Sequence, residues 1–176
     1  ITIGQSPRSD MVPEMAQWLG AVEILERGAL DGLDAAGVAA LRSKAGEEAL
    51  VTRLRDGSSV VVAAHHIVPR VQQAIDELEE AGVDATLLLC TGAFPDFAHR
   101  KPLLPAQRLL VDAVRAIAGG SRLGVVCPLA DQEPWTRQAW APVGGSVQVA
   151  SASPYGDPGG LEAAAEALRD AGVDFV

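Results

Sequence analysis

The chain has 176 residues, 48% of them hydrophobic, enough to bury a real core in one ordinary domain or two small halves. Its formal net charge of −9, carried without any basic block, opposes the counterion release that drives nucleic-acid binding and disfavours anionic membranes. Only Cys90 and Cys127 are present, without metal-ligand spacing, so the reading is two free thiols in a reducing, cytoplasmic setting, with no structural metal.

Short β-branched apolar runs bounded by turn residues alternate with helical patterns, which is the rhythm of an α/β fold. Ile1 to Ile3 is a strand ending at Gly4-Gln5-Ser6-Pro7, and Pro13 suits the first turn of a helix reaching about Trp18 to Leu19. Ala21 to Leu25 reads as a second strand, Asp34 caps a helix over Ala35 to Leu41, and Glu47 to Arg55 reads as a helix stopped by Asp56-Gly57. Val60 to Ala64 is a buried strand, and a helix over Pro69 to Ala81 sets Val71, Ala74, Ile75 and Leu78 on one face before Gly82. Ala85 to Cys90 is the next strand, Phe94 to Pro105 a loop, and Ala106 to Ala118 a helix closed by Gly119-Gly120. Leu123 to Cys127 is a strand halted by Pro128, followed by a helical Asp131 to Trp140 and a strand over Val147 to Ser151. Ser153 to Gly160 is a loop, Leu161 to Ala171 a helix, and Val173 to Val176 starts a last strand. Apolar strand patterns at both ends predict that the domain continues on either side. No apolar run approaches the roughly 18 residues of a membrane span.

Ala81-Gly82-Val83-Asp84 recurs as Ala171-Gly172-Val173-Asp174, and Val60-Val61-Val62-Ala63 is echoed by Val147-Gln148-Val149-Ala150. Each follows or precedes the same kind of element, so two corresponding βαβ units are expected. They define a first half over 1–118 and a second over 119–176 that is incomplete at its C-terminal end. Convergence of helix ends on glycine is the alternative.

In open parallel sheets, ligands bind beyond the carboxyl ends of strands. That rule selects the loops Gly4 to Arg8, His65 to Val68, Cys90 to Phe97, Pro128 to Gln132 and Ser151 to Asp157. Cys90 ends a strand and is followed by Thr91 and Gly92, whose amides can face an anion, a setting in which a thiolate is stabilised. A buried cysteine acting as a small hydrophobe is the competing reading, and it is the preferred one for Cys127. The loop from Gly4 through Gln5, Ser6 and Arg8 offers an amide, a hydroxyl and a guanidinium to a carboxylate or phosphate, an ordinary capped loop being the alternative. At most one of His65 and His66 is expected to face a ligand, and we take His66. Ser153 and Tyr155 lie on the counterpart loop. The glycine pattern matches neither a dinucleotide fingerprint nor a phosphate loop, which leaves nucleotide binding with little support.

The stretches Ile3-Gly4-Gln5-Ser6-Pro7-Arg8, Leu89-Cys90-Thr91-Gly92-Ala93-Phe94-Pro95, Leu123-Gly124-Val125-Val126 with Pro128 and Gln132, and Ala152-Ser153-Pro154-Tyr155 span nearly the whole chain. Through them the chain resembles the AroM family, within the aspartate/glutamate/hydantoin racemase superfamily. The resemblance implies two pseudo-symmetric three-layer αβα halves with parallel sheets and a cleft between them. It also implies cofactor-independent racemases, isomerases or decarboxylases that use cysteine on small carboxylates. The superfamily pattern sets a second thiol opposite the first. The repeat spacing puts that position four residues past Val176, and Cys127 does not match it.

The leading expectation is proton transfer at the carbon next to a carboxylate. Cys90, its pKa lowered by the amides of the Thr91-Gly92 turn, would act at one face, and Gln5, Ser6, Thr91 and Ser153 would hold the carboxylate. One thiol alone suits decarboxylation with protonation, or isomerisation through a covalent thioether. A small-carboxylate binding or regulatory protein is the rival reading, and a flavodoxin-like module a third. A small carboxylate is the expected partner, with no nucleic acid, no membrane, and self-association open.

Overall fold

The computed structural model describes residues 1–143 and 145–176, Pro158 by its backbone alone. The chain is mixed α/β and divides into two compact units, Ile1–Ala106 and Gln107–Val176. The sequence reading set its boundary twelve residues later, after Ala118.

The first unit is built around the N-terminal segment. Thr2 bridges in parallel to Gly28 on one side and to Leu89 on the other. The amide of Thr2 donates to Arg27 O, that of Ala29 to Thr2 O, and that of Leu89 to Ile1 O. Next to Leu89, strand β3 (Thr86–Leu88) pairs in parallel with β4 (Leu103–Pro105). The chain therefore emerges from three adjacent parallel stretches at Gly4, Leu30 and Cys90. Each stretch contributes apolar side chains to the interior, with Ile1, Ile3, Ala29, Leu30 and Leu88 buried.

Helix α1 (Val12–Leu19) forms with Pro13 in its first turn, and α2 (Ala35–Ala40) is capped by Asp34, whose carboxylate accepts from the Gly37 amide. Ala21 to Leu25 is not a strand. It is irregular, and Val22, Ile24 and Leu25 are exposed, because pairing with Thr2 begins only at Arg27 and Gly28.

The largest correction concerns Glu47 to Arg55. In place of a helix it supplies strand β1 (Ala49–Arg53), paired antiparallel with β2 (Ser59–Ala63), with Thr52 opposite Val60. The Asp56-Gly57 pair that was read as a helix stop makes the hairpin turn. Gly57 has φ 88°, its amide donates to Leu54 O, and Leu54 N donates to Ser58 O. Burial of Leu50 and Thr52 on one face of β1 outweighs the helix preference of Glu47 to Leu50.

Helix α3 (Ala64–Glu80) starts directly after β2, earlier than expected, with Pro69 inside it. It buries Ile67, Val71, Ala74, Ile75 and Leu78 against Ile1, Ile3, Leu50, Val62 and Leu88, which completes the core of this unit.

In the second unit α4 (Ala106–Ala118), β5 (Leu123–Cys127) and β6 (Val147–Ser151) occupy the ranges read from the sequence. Strands β5 and β6 are parallel, and Leu123 also bridges in parallel to Phe175. A short 3-10 turn leads into α5 (Glu133–Trp140), and α6 (Pro158–Asp170) starts inside the stretch read as loop, where the Asp157 carboxylate caps the Gly159 amide. Val111, Leu123, Trp140 and Val143 form its core. Among the described residues no helix is long and apolar enough to cross a membrane.

Candidate functional site

In the first unit, the parallel pairing of Thr2 with both Gly28 and Leu89 brings the carboxyl ends of three stretches to one edge. That edge carries Gly4, Gln5, Ser6 and Arg8, then Asp31, then Cys90, Thr91 and Gly92. These are most of the residues singled out in the sequence.

Cys90 is half-buried and packs against the core. Its sulfur accepts a hydrogen bond from the Gly92 amide at 3.4 Å, as the turn chemistry of Cys90-Thr91-Gly92 led one to expect. The net electrostatic effect runs opposite to that expectation. Burial pushes the thiol up to about 11, and the amide only partly offsets it. A carbon added at Gly92 would lie 2.9 Å from Leu50 Cδ2, 3.4 Å from the sulfur and 3.6 Å from Phe94 Cε2, so apolar groups close around this turn. The resting group is therefore a thiol able to donate a proton. Thr91 is exposed.

The Gly4–Arg8 loop is tied down by hydrogen bonds. Ser6 donates its amide to Asp31 Oδ1 at 2.8 Å and its hydroxyl to Oδ2 at 2.5 Å, while the Gly28 amide reaches Oδ2 at 2.7 Å. Ser6 therefore has no hydroxyl proton left for a ligand in this arrangement. Arg8 is buried, its fork closed on Asp10 at 2.7 and 2.8 Å and its Nη1 on Thr2 Oγ1 at 3.1 Å. The Arg8 hydrogen bonds bring Asp10 down to about 2. Gln5 uses its Oε1 to accept from the Arg55 amide at 2.9 Å, and its Nε2 lies 3.5 Å from Leu33 O. Gly4 is glycine because a side chain would collide with Arg53 O.

Arg55, which the sequence pattern places at the end of a helix, belongs to this edge. The β1–β2 hairpin delivers its Nε and Nη2 to Ser6 O at 2.8 and 2.5 Å, with Nη2 3.5 Å from Asp31. Its signal in the sequence was the Asp56-Gly57 pair read as a hairpin turn rather than a helix stop.

His65 and His66 sit in the first turn of α3, not in a loop, His65 exposed and His66 half-buried, with ring centroids 3.9 Å apart. Ser153 and Tyr155 belong to the second unit, where Ser153 Oγ accepts from the Tyr155 amide at 3.2 Å in a local turn after β6. Cys127, in the same unit, is buried and donates to Leu129 O at 3.2 Å. Burial also raises this thiol, against a hydrogen bond with Thr136, with the charge of Glu133 adding to the rise. Among the described residues, no three His, Cys, Asp or Glu side chains are grouped as a metal site.

Comparison with known proteins gives one finding: the family model described as AroM protein matches residues 1–176. No curated protein and no solved structure matches the chain. With a match running over all of its residues, the strand-end cysteine and the Gly4–Arg8 loop included, the chain belongs to the AroM family.

Proposed function

We propose that the chain is a cofactor-independent enzyme of the racemase superfamily type, with two pseudo-symmetric racemase-like halves, that uses Cys90 to move a proton at the carbon next to a carboxylate of a small organic acid. The observation that carries this reading is the placement of Cys90 at the carboxyl end of a parallel stretch with the Gly92 amide on its sulfur. In the proton-delivering direction, the C–H or C–C bond beside the carboxylate breaks and its electron pair passes into an enediolate. The S–H bond of Cys90 then breaks as the carbon takes the proton, leaving a thiolate that the Gly92 amide stabilises. If a C–C bond breaks, carbon dioxide leaves; if a C–H bond breaks, a second group must take that proton from the other face.

A thiol near 11 is a poor base at neutral pH but a filled proton donor, which favours the single-cysteine decarboxylase form over two-thiol racemisation. The same observation favours the second reading, a protein that binds a small carboxylate without turning it over.

The test is incubation of the full chain with a panel of 2-substituted carboxylic and malonic acids in deuterated water, followed by proton NMR. Deuterium at the carbon next to the carboxylate, lost in Cys90→Ala and retained in Cys127→Ala, is the expected result. Equal incorporation by Cys90→Ala rules the mechanism out. Binding without incorporation from any acid transfers the assignment to the binding reading.

A further inference from the structure

We infer that Arg55 is the carboxylate-recognising residue of this edge, a role the Gly4–Arg8 loop cannot fill. The inference deepens the proposed function and rests on its assignment of a small carboxylate ligand. It follows from an inventory of donors. A carboxylate needs N–H or O–H groups that are not already committed, and a guanidinium meets it best because its fork matches two oxygens. Arg8 has spent its fork on Asp10 and its remaining nitrogen on Thr2, and it is buried. Ser6 has given its hydroxyl proton to Asp31. The side chain of Gln5 is spanned between the Arg55 amide and Leu33.

Arg55 differs from all three. Its side chain is 62% exposed, two nitrogens rest on the single carbonyl of Ser6, and Nη1 has no partner among the described residues. Asp31 forms an ion pair with Nη2 at 3.5 Å but makes no hydrogen bond to the guanidinium, because three short hydrogen bonds from Ser6 and Gly28 occupy its carboxylate. The Ser6 carbonyl thus holds a cation in a fixed orientation with an unused N–H edge, at the same strand-end edge as Cys90. This arrangement suits an organic monocarboxylate or dicarboxylate.

The experiment titrates the isotope-labelled full chain with malonate and with acetate, following the Arg55 side-chain N–H resonance, which is assigned by its disappearance in Arg55→Met. Sodium chloride at matched ionic strength is the control. A saturable shift with carboxylate and none with chloride, together with at least a tenfold weaker binding of malonate to a folded Arg55→Met, is the expected result. Arg55→Lys keeps the charge without the fork, is expected to weaken binding as well, and replaces Arg55→Met if the latter does not fold. An unmoved resonance, an equal response to chloride, or wild-type affinity in the substituted chain overturns the inference. Loss of thermal stability with unchanged malonate binding also overturns it, since Arg55 would then serve only to latch the hairpin. A carboxylate-dependent shift in a protein that exchanges no deuterium leaves Arg55 in place and removes the catalytic reading.

Discussion

The Gly92 amide donates to the sulfur of Cys90 at 3.4 Å, yet burial of that sulfur outweighs the hydrogen bond and holds the thiol near 11. Two units above the ordinary value leave about a hundredfold less thiolate at neutral pH than a solvated cysteine carries. Iodoacetamide should accordingly label Cys90 about a hundredfold more slowly at pH 7, with a rate that keeps climbing up to about pH 11. A titration midpoint at or below 9 would contradict the burial. The same shift links to folding. The unfolded chain loses this proton more readily, so the contribution is fully present below pH 9 and is lost as pH rises from 9 to 11. Urea titrations of wild type and Cys90→Ala across that window should show a steeper alkaline decline in the wild type, the remaining decline of the variant coming from the raised thiol of Cys127.

Arg8 and Asp10 give the acid limb. The Arg8 hydrogen bonds lower Asp10 to about 2 from 3.8, so its contribution to stability is present above pH 4 and disappears as pH falls toward 2. Asp10→Asn should flatten the stability profile between those values. Arg8→Ala removes a buried guanidinium that also holds Thr2, and is expected to destabilise the fold by about 2–4 kcal/mol in chemical denaturation. A loss under about 0.5 kcal/mol would restore Arg8 as a candidate for ligand binding, since surface positions behave that way.

How much of this was legible depended on whether local and long-range preferences agreed. Helix α4 and strands β5 and β6 carry their signals within a single element, through amphipathic spacing, β-branched runs, Gly119-Gly120 and Pro128, and their observed ranges match the reading. Glu47 to Arg55 did not announce itself. Glu47, Glu48, Ala49 and Leu50 favour a helix, and only pairing with Val60 to Ala63 selects the strand. That misreading hid Arg55, because its approach to Ser6 depends on the hairpin. Ala21 to Leu25 has a strand composition but lacks a neighbour to pair with. The position of Cys90 at a strand end was readable; the sign of its pKa shift was not, since it depends on burial against a core to which distant residues such as Leu50 contribute.

Asp31 joins the Gly4–Arg8 loop to the stretch beside it by accepting from Ser6 and Gly28 together. Asp31→Asn replaces one acceptor oxygen with a donor that faces another donor, and should reduce stability by about 2–3 kcal/mol, measured by urea unfolding. Ser6→Ala removes only the hydroxyl and should lower it by about 1 kcal/mol. Equal losses from the two substitutions would mean that the backbone amides do not depend on Asp31.

The approach of Gly4 to β1 makes a sharper prediction. A methyl group at residue 4 would meet Thr52 Oγ1 at 2.5 Å and Arg53 O closer still, and the second of these is backbone that cannot step aside. Gly4→Ala should therefore destabilise the chain by about 3 kcal/mol or more and loosen the hairpin that carries Arg55. Thr52 points the other way. Its hydroxyl is buried without a hydrogen-bond partner among the described residues, so Thr52→Val, which removes an unsatisfied oxygen, should stabilise by about 1 kcal/mol. Both values are readable from denaturant midpoints, and a destabilised Thr52→Val would show that the hydroxyl is satisfied in solution.

Phe94 connects packing to reactivity. Its ring is half-buried, lies in a tilted contact with Phe97 at 6.0 Å, and borders the Gly92 turn whose amide serves the sulfur. Phe94→Ala admits water beside Cys90 while leaving the amide in place, so the desolvation that raises the thiol should shrink and the hydrogen bond that lowers it should persist. The expected outcome is faster iodoacetamide labelling of Cys90, by about tenfold at pH 7 for each pKa unit recovered, with a stability loss of about 1–2 kcal/mol because the ring is only partly buried. Leu50→Ala should speed labelling as well, at a greater stability loss of about 2–4 kcal/mol, since Leu50 is 4% exposed. If neither substitution changes the labelling rate while both reduce stability, apolar packing around the turn does not set the thiol's acidity, and the rise toward 11 must come from the backbone around Cys90 itself.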